Sequence, residues 1–384
     1  MNTKLTIPVL FILLMLTSSI AGCILDLDRM DNTAYSPNSG SCDGAPIGHS
    51  DDGVLRILTY DINAISDEMI NQFTNQTGFQ VELIRTDDAG GILEQMLQTK
   101  DAQQADLMIG LDNTYLQTAI GNCLLQYQNV SVNNISDSAL SHHQSNFATP
   151  FDQGYVCINY DENYVDSENV TVPTSLWNLT EQQWNGKIAF PSPVTSSPGR
   201  SFMISTIDYF ENDEDNTTDA FDWWRQMKQN GAILTSGWTE SYETHYTGGY
   251  GEWTEGHIGD AAMTISYCHS PGVEAYYSSN WTHSTSLMLP LTSFHQVEYA
   301  GIINGAANVI AANQFIEYLL SPEINTQMPE ANLMYSVLNN TDLPETSGYR
   351  YHSDIPSQPC SISNERISQE MESWLSQWII GVEF

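Results

Sequence analysis

The chain has 384 residues, 41% of them hydrophobic, which is enough for two domains with separate cores. Against 47 Asp and Glu stand only 11 Lys and Arg, a formal net charge of −36, and this excludes nucleic acid as a partner because phosphates demand a basic surface. The acid runs through the whole chain instead of forming one tail, a pattern suited to high salt, where screening reduces self-repulsion.

Lys4, the apolar run 5–20 and the small-residue ending Ile20-Ala21-Gly22-Cys23 predict an export signal over residues 1–23. That ending resembles a lipobox, so Cys23 is the expected lipidated first residue of the mature protein. The apolar run is too short for a comfortable membrane span, and firm attachment at Cys23 needs more than one acyl chain. Residues 24–53 are rich in Asp, Asn, Ser, Gly and Pro and read as a tether with a reach of about 30 Å. Beyond Cys23 an odd number of cysteines remains (Cys42, Cys123, Cys157, Cys268, Cys360), so at least one is a free thiol or pairs elsewhere.

The fold is expected to begin with a strand over 54–61, ending in Tyr60-Asp61. A helix follows, with Ser66 as N-cap and Gly78 closing it after Thr77. A strand over 79–85 leads into Asp87-Asp88-Ala89-Gly90-Gly91 and a second helix, and a strand over 105–109 leads into Gly110-Leu111-Asp112-Asn113. Strands alternating with helices predict a parallel sheet. The strand over 148–158 marks the crossing into a second domain, where 187–190 is a further strand before Pro191 to Gly199 and a helix from Arg200. In that loop Ser196 and Ser197 offer helix-start N–H groups as a seat for an anion or a hydroxyl, although either serine reads equally well as a simple N-cap.

After a helix over 220–228 comes the richest stretch of the chain. A glycine-broken run, Gly237-Trp238-Thr239-Glu240-Ser241-Tyr242, precedes a buried-strand pattern over 260–267 and the turn Cys268-His269-Ser270-Pro271-Gly272. Aromatics beside small polar residues at strand ends build ligand pockets, and aromatic faces near a carboxylate suit a flat cation. The plainer alternative makes Trp238 and Tyr242 core aromatics. Residues 287–290 and 297–303 read as the return crossing, 306–320 as a helix, Ser321-Pro322-Glu323 as the start of another, and 363–380 as an amphipathic tail. Cys157 lies on the strand entering the second domain and Cys268 just after the strand before the turn. If the crossing strand runs antiparallel beside the latter, the two cysteines meet in a disulfide. No catalytic motif occurs, and no Cys/His spacing points to a metal, so neither an enzyme nor a cofactor is expected.

Several segments, taken together and in order, resemble the thiamine-binding substrate-binding proteins of ABC importers, over nearly the whole of 54–378. They are Leu58-Thr59-Tyr60-Asp61, Ile109-Gly110-Leu111-Asp112-Asn113, Pro150-Phe151-Asp152-Gln153-Gly154-Tyr155, Thr195-Ser196-Ser197-Pro198-Gly199, the Gly237 to Tyr242 run, Ser266-Tyr267 with Ser270-Pro271, and Met334-Tyr335. The resemblance implies an α/β two-domain periplasmic-binding-protein type II fold: two open, mostly parallel sheets flanked by helices, with a ligand cleft between them. The domains expected are 54–150 plus 285–384, and 151–284. It also implies thiamine or a thiamine phosphate as ligand, cleft closure and ABC importer membrane subunits as partners; the Cys23 ending adds a lipid anchor to the membrane, and a monomer is expected. By position, Tyr60 stacks on a ring, Asp88 meets the aminopyrimidine, Ser196 or Ser197 faces the hydroxyethyl or phosphate end, and Trp238 and Tyr267 form the second wall. Asp61, Asp112, Tyr242, Ser270 and Tyr335 complete the expected site. Two positions depart from the pattern, since Leu333 and Val273 stand where aromatics are expected. Another cationic heterocycle therefore stays open, as does ferric ion held by Tyr276 and Tyr277; a surface scaffold would need none of these motifs.

Overall fold

The computed structural model describes residues 48–383 apart from 62–64, 143–145, 214–217 and 280–281. The export signal, Cys23, Cys42 and most of the expected tether lie outside the described residues.

The strands are β1 (Val54–Tyr60), β2 (Gln80–Thr86), β3 (Leu107–Asp112), β4 (Thr149–Asp161), β5 (Ile188–Pro191), β6 (Ile233–Thr235), β7 (Met263–Tyr267), β8 (Ser284–Leu287), β9 (Phe294–Ile302) and β10 (Tyr335–Ser336). Their hydrogen-bonded path runs β2-β1-β3-β9-β4-β7-β5-β6, with β8 and β10 paired to β4. At one end β1 lies parallel to β2 and β3, and at the other β5 lies parallel to β6 and β7. Between these ends run the antiparallel β4 and β9, paired from Thr149↔Ala300 to Val156↔Phe294 with a bulge between Pro150 and Asp152. The two expected sheets are thus the ends of one curled sheet, and the two crossing strands join them.

Local chemistry sets the element ends. The Ser66 side chain accepts from the Met69 backbone N–H at 3.2 Å, and Gly78 closes that helix in the left-handed region at φ 84°. Along β1 the period of two sends Leu55 and Ile57 into one core and Leu58, with Tyr60 beyond it, toward the other face. The helix Ala89–Gln98 covers that second face with Ala89, Ile92, Leu93 and Met96, spaced as one helical stripe.

The second lobe is built around aromatics, with Trp184, Phe190, Phe202, Trp223 and Trp224 buried in one cluster. The closing helix Asn364–Trp378 contributes Ile367, Met371, Trp374 and Trp378 to this same cluster. Helix Val309–Leu319 packs with the aliphatic cluster of β1 and β3 before the chain reaches the closing helix. The apolar stripe of the tail, rich in Trp, matches the aromatic core and not the aliphatic one.

Cys157 and Cys268 form a disulfide with Cα atoms 5.0 Å apart. β4 does run antiparallel to β7, which places Cys157 opposite Ser266 and Cys268 one step past the strand end. Cys123 is disulfide-bonded as well, and Cys360 is a free thiol. Among the described residues no helix is long and apolar enough to cross a membrane.

Candidate functional site

A cleft opens at the C-terminal ends of β1, β3 and β7, with about 760 Å³ of empty space up to its mouth. Tyr60 supplies the first-lobe wall. Its ring lies over Gly110, whose φ of 109° and missing side chain make the approach possible, since a Cβ there would overlap the ring. The Tyr60 hydroxyl donates to Glu298 Oε2 at 2.8 Å, and Asn332 Nδ2 donates to the same hydroxyl at 3.1 Å.

The second wall is a stack. After β6 the chain turns through Gly237 into the π-helical segment Glu240–His245, which sets Trp238 and Tyr242 face to face, 4.9 Å apart with ring planes 12° from parallel. Trp238 Nε1 donates to Ser266 Oγ at 2.9 Å. Tyr242 donates to the buried Glu274, which also accepts from Thr282 Oγ1 at 2.7 Å. Tyr250 packs edge-on against Tyr242 at 5.3 Å. Tyr267 and Ser270 continue the wall; Ser270 Oγ lies 2.8 Å from Ser266 Oγ and accepts from the Tyr267 N–H at 3.1 Å.

Acid surrounds these aromatics. Glu298 lines the cleft from β9, and burial, reinforced by neighbouring Asp152, holds its carboxyl well above the usual range. Asp152 itself is raised to about 8 by burial, partly offset by an Asn332 hydrogen bond. Asp88 caps the helix Ala89–Gln98, accepting from the Ala89 N–H at 2.7 Å, and desolvation raises it to about 6. Asp61 and Asp87 stand at the mouth.

Of the residues expected from sequence, Tyr60, Asp61, Asp88, Ser197, Trp238, Tyr242, Tyr267 and Ser270 line this cleft together. Three do not. Asp112 is fully buried behind the wall, accepting from Ser197 Oγ and from the Thr114 N–H at 2.6 Å. Ser196, also fully buried, is the N-cap position of the helix Ser197–Glu211. Tyr335 sits on β10, its ring 4.5 Å from that of His269. Tyr276 and Tyr277 end the helix Ser270–Tyr277 with their rings 5.3 Å apart, and neither reaches the cleft. Val273 and Leu333 do line it, so the two departures noted in the sequence fall on the walls.

Glu298, Asn332 and Tyr250 are site residues that sequence reasoning missed. Glu298 left a signal: a carboxylate inside the apolar run Val297 to Ile303 is costly unless it has work to do. Beside the cleft the lobes touch directly, with the Gly90 N–H donating to Thr195 O at 3.2 Å and the Arg200 guanidinium 3.6 Å over the Tyr115 ring.

Two lobes joined by crossing strands, with an aromatic and acidic cleft between them, are the architecture of a solute-binding protein. The model of the family "Bacterial extracellular solute-binding protein" matches residues 68–342, and the chain belongs to that family. The thiamine-binding periplasmic protein of Escherichia coli (strain K12) is 23% identical over 336 residues, covering 85% of this chain and 92% of the relative. That of Haemophilus influenzae is 22% identical over 294 residues, covering 76% and 80%. Among solved structures a periplasmic thiamin binding protein superposes with a TM-score of 0.70 at 23% identity, covering 88% of this chain and 99% of its own. Iron-bound HitA from Pseudomonas aeruginosa superposes at 0.62 with 14% identity, covering 84% and 98%. The shared fold is the two-domain type II periplasmic-binding architecture, and the family and its relatives are extracytoplasmic binding proteins.

Proposed function

We propose that this protein captures thiamine, or a closely related cationic heterocycle, outside the cytoplasmic membrane and delivers it to an ABC importer by closing its lobes over the ligand. The observation that carries this reading is the pairing of aromatic faces across the cleft, with Tyr60 on one lobe and the Trp238–Tyr242 stack on the other, beside the Glu298 and Asp88 carboxyls. A flat pyrimidine joined to a thiazolium cation needs stacking, cation–π attraction and a carboxylate, and those are the groups present. Because the two walls belong to different lobes, binding and closure are one event. The ferric reading finds less support, because Tyr276 and Tyr277 are not among the residues that line the cleft.

Calorimetric titration of the protein with thiamine tests this: saturable binding with quenching of Trp fluorescence is expected, and no heat and no quenching at millimolar thiamine would overturn it. The reading includes attachment through Cys23. Cys23→Ser is expected to move the protein from the membrane fraction to the soluble fraction with ligand affinity unchanged, and a variant that stays with the membrane after a salt wash would remove the anchor from the reading.

A further inference from the structure

One helix fastens both rings of the Trp238–Tyr242 stack. On Ser270–Tyr277, Ser270 and Glu274 lie one turn apart on the same face. Ser270 reaches Trp238 through Ser266, whose Oγ accepts from the indole N–H at 2.9 Å and lies 2.8 Å from Ser270 Oγ. Glu274 accepts directly from the Tyr242 hydroxyl. We propose that Glu274 is a positioning residue for charge, which acts through the Tyr242 hydroxyl to make the stacked wall prefer a cationic ring over its neutral isostere. This rests on the thiamine reading above and deepens it.

Glu274 is not among the residues that line the cleft. It is 4% exposed, and a buried carboxyl is costly unless it is hydrogen-bonded. Three hydroxyls converge on it: Tyr242 on Oε1, Thr282 on Oε2 at 2.7 Å, and Ser284. Ser284 Oγ lies 2.7 Å from the Tyr246 hydroxyl, so a second tyrosine joins the network. His283 also bears on the carboxyl, and its Nδ1 lies 2.7 Å from Asp161 Oδ1.

A hydroxyl that donates to a carboxyl polarises its own ring, and hydrogen bonds in series strengthen the effect. Tyr242 passes this to Trp238, whose ring lies 4.9 Å away and 12° from parallel. A cation stacked on Trp238 is then drawn by two ring faces and by the carboxyl behind them. Little water screens that attraction, because Tyr242 is 1% exposed. A neutral ring of the same shape gains the stacking alone. Burial raises Glu274 to about 8, and positive charge nearby favours its ionised form. Tyr242, Tyr246 and Tyr250 face it and are held protonated by burial, so in this network Glu274 is the acid that ionises from pH 7 to 9. The preference for a cation grows in that direction.

Calorimetry with thiamine and with its neutral analogue, in which a thiophene replaces the thiazolium, tests this on the wild type and on Glu274→Gln. Glutamine keeps the shape and an acceptor for Tyr242 but carries no charge. Expected in the variant is a loss of about three- to tenfold in affinity for thiamine, with the affinity for the analogue changed by less than about twofold. The wild-type preference for thiamine should also climb from pH 7 to 9, more steeply than that of the variant, in which Glu298 still titrates. Equal losses for both ligands would mean that Glu274 only shapes the wall, and no loss for either would mean that it does not act on the ligand. Each result overturns the proposal and leaves the thiamine reading intact. If neither ligand binds a wild type that melts cooperatively, the thiamine reading falls and the proposal falls with it. Should Glu274→Gln fail to fold, Tyr242→Phe keeps the ring, removes the hydroxyl that links it to Glu274, and decides by the same ratio of affinities.

Discussion

Tyr60 and Trp238 line the cleft from opposite sides, but they are held differently. Tyr60 is fixed at both ends, by the bare backbone of Gly110 under its ring and by Glu298 and Asn332 at its hydroxyl. Trp238 is fixed by its stack on Tyr242 and one hydrogen bond to Ser266. Both rings are only partly buried, so truncation opens the cleft more than it empties a core. Trp238→Ala and Tyr60→Ala are each expected to weaken thiamine binding by about 1–3 kcal/mol, or roughly tenfold to a hundredfold, with a small change in melting temperature. Trp223→Ala is the control, since Trp223 is wholly buried in the aromatic core and its loss should destabilise the fold by about 3–5 kcal/mol. Titration and melting of the three variants check this. Unchanged affinity with a control-sized drop in melting temperature would make Trp238 and Tyr60 core residues, the alternative the sequence pattern leaves open for Trp238.

Elements with a local signature were legible in the sequence. Ser66 and Gly78 bracket the first helix, Pro322 opens a late one, and the Ile367, Met371, Trp374 and Trp378 stripe marks the last. The site was legible wherever an aromatic sat at a strand end, as at Tyr60, Trp238 and Tyr267. What stayed hidden depends on partners distant in sequence. Ser196 and Ser197 are both buried neighbours of the same chemistry, yet only Ser197 borders the cleft, with its hydroxyl turned back to Asp112. Asp112 ends its strand as Tyr60 ends β1, but its carboxyl is taken by Ser197, 85 residues further on. Asn332 joins the site only because it meets Tyr60, 272 residues away. The closing helix had a legible face, but which core it covers is decided by aromatic packing that one stripe cannot specify.

At the scale of the whole molecule, buried acid makes stability depend on pH in a definite direction. Burial raises Asp152 to about 8 and Glu274 to about 8, where the unfolded chain has carboxyl values near 4. Between these limits the folded protein holds protons that the unfolded chain has released, so its stability falls as pH rises. Buried histidines act oppositely: burial lowers His269 to about 4 and His295 to about 3, from an ordinary 6.5. Their effect lies below pH 6.5, where the unfolded chain takes up protons that the folded one refuses. From pH 6.5 to 8 the carboxyls therefore act without opposition from these histidines. The melting temperature of the ligand-free protein, measured at fixed salt, is expected to fall across that interval. Self-repulsion from a net charge of −36 pushes the same way, so a second variant separates the causes. Glu274→Gln keeps the shape and removes the titration, leaving repulsion almost untouched, and should flatten the decline. Thiamine should flatten it too, because a cation beside Glu298 favours the ionised form that burial opposes. A melting temperature that is constant or rising from pH 6.5 to 8 would mean that the buried carboxyls are ionised in the folded protein throughout.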